Sequence, residues 1–221
     1  PAKYIREQSQ RGNLGFQLMA VVARVNGKKT YLSPNKVQAE ASKKVPIDEA
    51  VSLRFDRDAL GFRVGNYGME DFESLFTPRQ KISLKALSES IIEVRKEIEK
   101  DAMRELSNSD EQSLADGGFG YKAYSESIAV YLQFAVDKLS GYSNSLCIWN
   151  NTNENVSNLF GRQTIQMTWD FAEANPFGPL LGYEKVAEAV ANTLVNIRPN
   201  APGRQFQAAA QHADPKAGSV V

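Results

Sequence analysis

The stretch Leu75–Ala102, LFTPRQKISLKALSESIIEVRKEIEKDA, decides most of the fold because it predicts a long helix with a clearly marked start. Thr77 is a good N-cap residue, and Pro78 suits the first helical position, where its missing N–H costs nothing. Gln80 stands three residues after Thr77 and completes a capping box. The helix is therefore predicted to begin at Pro78.

Apolar side chains recur through this helix at alternating steps of three and four residues, which places them on one face. They are Leu84, Leu87, Ile91, Val94 and Ile98. The opposite face carries oppositely charged pairs three residues apart, each of which stabilises an exposed helix by only ~0.2–0.5 kcal/mol. These pairs are Glu93/Lys96, Glu97/Lys100 and Asp101/Arg104. We expect the apolar face to be buried and the charged face to be solvated.

Three further helices are predicted after a polar, glycine-containing loop. The first runs from about Gly120 to Ser140, with an inward face of Tyr124, Ile128, Tyr131, Ala135 and Leu139. The second spans roughly Val156–Ala174 and bends near Gly161. The third, GYEKVAEAVANTLVNI, directs Tyr183, Val186, Ala187, Val190, Leu194 and Ile197 inward.

The first 35 residues predict β-structure. The apolar run Phe16–Val25 is followed by Asn26-Gly27 and then by KKTYL, and Asn-Gly between two such runs is a strong hairpin signal. The fold class is therefore α+β, mostly α, with an N-terminal β-hairpin, a bundle of about four helices and a C-terminal strand. We predict a basic hairpin and irregular segment over 1–76, a helical domain over 77–204 and a strand within 205–221.

Composition excludes several classes of site. Cys147 is the only cysteine and His212 the only histidine, so the chain cannot supply a Cys/His zinc site or an internal disulfide. A Cys147–His212 nucleophile pair is formally open, but a cysteine among apolar neighbours is more often a small core residue. No apolar run is long enough for a membrane helix, and no secretion signal begins the chain, so a cytoplasmic location is expected.

Charge is distributed unevenly along a chain whose formal net charge is zero. Residues 1–36 hold seven Lys or Arg against one acidic residue, whereas the remainder is acidic. This basic segment is either a phosphate-facing edge or an ordinary solvated surface. The candidate DNA contacts are Lys3, Arg6, Arg11, Lys28, Lys29 and, from two Arg-Gln dipeptides, Arg79 and Arg162. At both dipeptides a role in helix capping or ion pairing is favoured over base reading.

The aromatic stretch WDFAEANPFG, Trp169–Gly178, contains a tripeptide close to the Asn-Pro-Pro-Phe signature of base methyltransferases. That signature follows a strand, whereas Asn175-Pro176-Phe177 follows a predicted helix and has one proline. The tripeptide is therefore interpreted as a helix stop, because the residue before proline is disfavoured in the helical region. Trp149 and Trp169 could stack on a flipped base, although aromatic residues at helical spacing more often belong to a core.

Four sequence blocks together resemble the large adenine-specific DNA methylases that contain a zinc ribbon. In order they are YIREQSQRGNLGFQLMAVVARVNGKKTYLSP, YGMEDFESLFTPRQKISLKALS, YLQFAVDKLSGYSNSLCIWN and FGRQTIQMTWDFAEANPFG. The resemblance implies that Thr77, Pro78, Gln80, Trp169 and Asn175-Pro176-Phe177 are structural markers. It also implies that the chain lies between the ribbon and the catalytic Asp-Pro-Pro-Tyr motif, neither of which it contains.

By this resemblance the chain is the target-recognition or scaffolding segment of an S-adenosylmethionine-dependent N6-adenine DNA methyltransferase of a restriction-modification or defence system. S-adenosylmethionine and zinc are implied for the parent protein only, and the segment is expected to be inactive on its own. The implied partners are DNA and the remainder of the methylase. Two alternatives stay open: a helical protein-interaction scaffold without DNA contact, and a degenerate methyltransferase that uses Asn175-Pro176-Phe177.

Overall fold

The structure, a computed structural model, describes residues 2–41, 53–55, 63–106, 110–161 and 164–197. Its helices are α1 (Ala2–Gln10), α2 (Lys36–Ala41), α3 (Pro78–Glu105), α4 (Tyr121–Ser140) and α5 (Tyr183–Asn196). Its strands are β1 (Val21–Val25), β2 (Lys28–Leu32), β3 (Trp149–Asn150) and β4 (Asn155–Val156). The predicted class, α+β and mostly α, is confirmed. The predicted C-terminal strand lies outside the described residues.

Helix α3 begins as predicted, with a complete capping box. The Gln80 backbone N–H donates to Thr77 Oγ1 at 3.3 Å, and the Thr77 backbone N–H donates to Gln80 Oε1 at 2.8 Å. The predicted ion pairs also form along the outer face, with distances of 2.8–3.2 Å for Glu93/Lys96, Glu97/Lys100 and Asp101/Arg104. Ile91 is buried at the centre of the apolar face, but Val94, which was predicted to be buried, is exposed.

Thr77→Ala should destabilise the protein by about 1 kcal/mol, because it removes the hydroxyl that accepts the Gln80 N–H at a buried helix start. Chemical denaturation followed by circular dichroism measures the change. Thr193→Ala is the matched control, since Thr193 Oγ1 only donates to a carbonyl within its own exposed helix. Equal losses in the two variants would contradict a specific capping role for Thr77.

Helix α4 packs against both α3 and α5, and this double contact changes which of its residues are buried. The buried residues include Ala123, Ser125 and Ala135, because helices approach closely where side chains are small. Tyr124 and Tyr131, which were predicted to face inward, are exposed. A single inward stripe is thus a poor description of a helix with two neighbours.

Helix α5 agrees closely with its sequence prediction. Val186 is buried, and most other members of the predicted face are partly buried. Ile197 is exposed because the helix has ended at Asn196. The Tyr183 hydroxyl donates to the Leu132 carbonyl at 3.3 Å, which fixes the start of α5 beside the middle of α4.

The predicted hairpin is present, although its strands are shorter than expected. Strands β1 and β2 pair antiparallel from Val21↔Leu32 to Val25↔Lys28. Asn26 and Gly27 form the two-residue turn with φ of 50° and 80°, the left-handed values that this turn requires. The Asn-Gly dipeptide therefore located the turn correctly, while the first half of the preceding apolar run, residues 16–20, lies outside the ladder.

Two regions have a different secondary structure from the one predicted. Residues Ala2–Gln10, predicted as β, form α1, and their composition of Ala, Lys, Arg, Glu and Gln favours a helix. In the span 156–174, predicted as a bent helix, the described residues form only β4 and the short 3₁₀ turn Leu159–Gly161. An isolated bridge instead joins Phe171 to Ile148, so the chain gains backbone hydrogen bonds from a distant segment.

The main hydrophobic core consists of residues from distant parts of the chain. It contains Phe55, Val64, Leu75, Leu146 and Ile165. Residues on both sides of position 76 contribute, so the irregular segment before α3 and the extended segments after α4 share one core. Ser145 ties these parts together further, because its backbone N–H and its hydroxyl both donate to the Leu75 carbonyl at 2.8 Å.

Candidate nucleic-acid interface

An exposed cluster of one arginine and two aromatic rings forms where three chain segments meet. The Arg6 guanidinium carbon lies 5.7 Å from the centroid of the Tyr67 ring. The Tyr67 and Trp169 centroids are 5.2 Å apart, and the two rings are nearly perpendicular at 88°. Trp169 remains 57% exposed. We call Arg6, Tyr67 and Trp169 the cation–aromatic cluster.

Hydrogen bonds from side chains of α1 to backbone carbonyls hold the Arg6 side of this cluster against Tyr67. Ser9 Oγ donates to the Tyr67 carbonyl at 2.6 Å, and Gln10 Nε2 donates to the Asn66 carbonyl at 3.2 Å. Gly68 has φ of +80° and lies so close to α1 that a Cβ there would be 3.2 Å from the Ser9 carbonyl oxygen. The helix and the turn therefore have a fixed separation.

The Trp169 side is fixed by the neighbouring threonine. Thr168 Oγ1 donates to the Leu146 carbonyl at 3.1 Å, and Phe171 bridges to Ile148. Leu146 belongs to the main core, so the indole projects from a segment that is attached to the interior. Phe171 also meets Phe16 edge to face at 5.6 Å. The backbone on both sides of Trp169 is therefore attached to other segments of the chain.

The basic residues predicted as DNA contacts divide into two groups. Lys3, Arg6, Arg11 and Lys28 are exposed. Lys29, in contrast, has partners within the chain. Its ammonium group donates to the Glu154 carbonyl and lies 3.7 Å from the Glu154 carboxylate. The same group lies 5.9 Å from the centroid of the Trp149 ring. We therefore assign Lys29 a structural role, in which it holds the β1–β2 hairpin against Trp149 and Glu154.

Arg79, the candidate base-reading arginine of α3, has an internal partner. Its two terminal nitrogens donate to the two carboxylate oxygens of Glu173 at 2.5 and 2.9 Å. The same carboxylate accepts a hydrogen bond of 2.6 Å from Gln80 Nε2. We therefore assign Arg79 a structural role at the start of α3. Arg162, the other arginine of the Arg-Gln pair, lies outside the described residues.

The loop Asn175-Pro176-Phe177 does not follow a helix, so its interpretation as a helix stop is wrong. The preceding residues are extended, with the Ala172 N–H donating to the Cys147 carbonyl at 2.8 Å and the Ala174 N–H to the Tyr142 carbonyl at 3.1 Å. Asn175 Oδ1 accepts the Phe177 N–H at 3.0 Å. The loop thus connects an extended segment to α5.

The backbone carbonyls of the first two residues of this loop also accept hydrogen bonds from within the chain. The Pro176 carbonyl accepts the Tyr183 N–H at 2.7 Å, and the Asn175 carbonyl accepts the Gly178 N–H at 2.9 Å. Phe177 is 82% exposed at the tip. These bonds give the tripeptide a structural role, because they shape the connection to the start of α5.

Trp149 is partly covered by the hairpin, and Cys147 is buried. Tyr31 meets Trp149 edge to face at 6.1 Å, and Lys29 lies above the same ring, so Trp149 is part of the hairpin attachment. Cys147 is fully buried, its Sγ is 3.3 Å from the Gly141 carbonyl oxygen, and burial raises the pKa of its thiol. Burial and a raised pKa oppose thiolate formation. His212 lies outside the described residues.

The glycine-containing stretch Gly117–Gly120 leads into the start of α4, and the free backbone N–H groups at a helix start favour an anion. Asp110 occupies this position. Its carboxylate accepts the Phe119 N–H at 2.8 Å and the Gln112 N–H at 3.0 Å, and these bonds lower the pKa of Asp110. An internal carboxylate thus takes the place that an external anion would need.

Tyr67 is the member of the cluster that the sequence did not reveal. It lies in a 3₁₀ turn, Arg63–Tyr67, within a stretch expected to be irregular, and no periodicity distinguishes it. The only local signal is the glycine that follows it, since Gly68 permits the positive φ next to α1.

In the described ranges, no group of three or more His, Cys, Asp or Glu side chains could hold a metal ion. Within the same part of the chain, every helix is too short or too polar to cross a membrane.

Comparison of the chain with protein-family models, with the curated proteins and with the solved structures gave no match.

Proposed function

We propose that this chain is the target-recognition segment of an S-adenosylmethionine-dependent N6-adenine DNA methyltransferase and contacts DNA through its basic N-terminal region. One observation carries the proposal. Arg6, Tyr67 and Trp169 belong to three of the four sequence blocks that resemble the adenine-specific methylases, and they meet in the exposed cation–aromatic cluster. Blocks that are far apart in sequence thus converge on one surface feature.

The chemistry of this surface suits nucleic acid. Arginine and lysine bind phosphate and release counterions, and exposed aromatic rings stack on bases. Lys3 and Arg6 lie three residues apart on α1, which places them as neighbours on the helix. Arg11 follows the helix directly, and Lys28 opens β2. Methyl transfer itself is assigned to the parent protein, which would supply the donor pocket and the catalytic motif.

Binding of a fluorescent DNA duplex, measured by anisotropy at two salt concentrations, tests the proposal. If Lys3, Arg6, Arg11 and Lys28 each neutralise one phosphate, affinity should fall about 100-fold between roughly 50 and 200 mM salt. Arg11→Gln and Lys28→Gln should each weaken binding. Each should also make the slope of log affinity against log salt concentration shallower by about one.

Lys96→Gln is the matched control for these variants, because Lys96 is exposed but pairs with Glu93 on the outer face of α3. Its binding should equal that of the unaltered chain. Absence of salt-dependent binding, or the same loss in all three variants, would refute a DNA contact through the N-terminal region.

One observation favours a second candidate function, a scaffold for protein partners. Helix α4 exposes Tyr124, Val130, Tyr131 and Phe134, and the last two rings meet at 5.9 Å. Exposed apolar residues in such number are typical of contact with another protein surface. A scaffold of this kind would show no salt-dependent DNA binding, so the titration described above separates the two functions.

A further inference from the structure

We propose that the cation–aromatic cluster is a stacking site for an unpaired nucleobase, so that the chain binds single-stranded or locally opened DNA through Trp169. This inference rests on the proposed function, since it names the form of DNA that the same region recognises. The inference follows from three properties of the cluster: an accessible ring, an adjacent cation and an indole that is more exposed than that of the other tryptophan, Trp149.

The first property is the accessibility of the indole. Trp169 is more than half exposed although it touches Tyr67. Because the two rings are nearly perpendicular, they are not stacked on each other, and a planar group can cover the part of the indole that Tyr67 leaves open. A nucleobase is such a group, and stacking on an aromatic side chain contributes about 1–3 kcal/mol per base.

The second property is the sign of the charge beside the rings. Arg6 lies over Tyr67, and Lys3 is one helical turn away on α1. A cationic ligand, such as a methylated lysine, would be repelled by these two groups. A base that carries a phosphate on either side is attracted to them, so the pair of cations selects a nucleotide over other planar or cationic ligands.

The third property separates Trp169 from the other tryptophan. Trp149 is only partly exposed and is contacted by Tyr31 and Lys29 of the hairpin. It therefore has less free surface for stacking than Trp169 has. The contrast provides an internal control, because the chain has two tryptophans and only one is predicted to respond to DNA.

Quenching of tryptophan fluorescence by an oligothymidylate tests the inference on the full chain. In Trp149→Phe, Trp169 is the sole reporter, and quenching should persist. In Trp169→Phe the remaining reporter is Trp149, and quenching should be lost. Quenching that survives in Trp169→Phe and disappears in Trp149→Phe would overturn the assignment.

Affinity gives a second readout. Trp169→Ala should weaken binding to the oligothymidylate by about tenfold or more, consistent with the loss of one stacked base. Its binding to a fully paired duplex should change less than twofold. Lys138→Ala is the control, because Lys138 also lies over a tyrosine ring, that of Tyr142, at 5.9 Å but in a different part of the chain.

The outcomes distinguish the inference from the function on which it rests. Salt-dependent duplex binding without quenching of Trp169 would overturn the stacking site and leave the proposed function standing. Absence of binding to either form of DNA would overturn both. Circular dichroism of Trp169→Ala establishes that the variant is folded, and the Trp149→Phe measurement tests the site without any change at position 169.

Discussion

Glu173→Ala should lower the free energy of unfolding by about 3 kcal/mol, because one carboxylate satisfies two partners at the start of α3. Its oxygens accept both terminal nitrogens of Arg79 and the side-chain amide of Gln80. Gln80 is only 1% exposed, so its amide would have no access to water when the carboxylate is removed. The negative charge also lies at the first turn of a helix, where an acidic group is favourable.

A double-mutant cycle with Arg79→Ala measures how much of this effect comes from the ion pair. The Arg79 side chain is 43% exposed, so its loss alone should cost less, about 1 kcal/mol. The double variant should be less destabilised than the sum of the single variants, since both remove the same pair. Additive losses would show that Glu173 stabilises the protein without the arginine.

Gly182→Ala should destabilise the protein by about 2–3 kcal/mol through a steric conflict at the start of α5. A Cβ at this position would overlap the Gly178 carbonyl oxygen and lie 3.0 Å from the Pro176 carbonyl oxygen. Those atoms are backbone, and both are held by hydrogen bonds: Gly182 N–H to Gly178 at 2.9 Å and Tyr183 N–H to Pro176 at 2.7 Å. The loop can therefore make room only by breaking its own bonds.

Gly161→Ala is the control for this prediction, because a Cβ at Gly161 meets no atom within 4 Å. Thermal unfolding should show a clear decrease for Gly182→Ala and little change for Gly161→Ala. A stable Gly182→Ala protein would mean that the connection between Asn175 and α5 adapts more readily than its hydrogen bonds indicate.

Local signals predicted those elements whose stabilising groups are close in sequence. The capping box at Thr77, Pro78 and Gln80 predicted the start of α3, and Asn26-Gly27 predicted the turn of the hairpin. In both cases the atoms that form the hydrogen bonds or adopt the unusual backbone angles are within a few residues of one another. No knowledge of the rest of the chain is needed for such a prediction.

The predictions that were wrong depend on distant partners. The span after Val156 has apolar residues that fit a helix, but Phe171 and Ala172 bond the segment Cys147–Ile148, and the sequence does not show that pairing. The sequence likewise does not reveal Glu173 as the partner of Arg79, because the two residues are 94 positions apart. The cation–aromatic cluster was missed for the same reason, since Arg6, Tyr67 and Trp169 come from three separate segments.

The attachment of the β1–β2 hairpin has a consequence for biosynthesis. Its turn is local and can close as soon as those residues leave the ribosome, whereas the contact between Tyr31 and Glu154 spans 123 residues. The hairpin can therefore dock only after Glu154 has been made. During that interval Tyr31 has no Trp149 to cover it, so the hairpin is open to unwanted strand pairing.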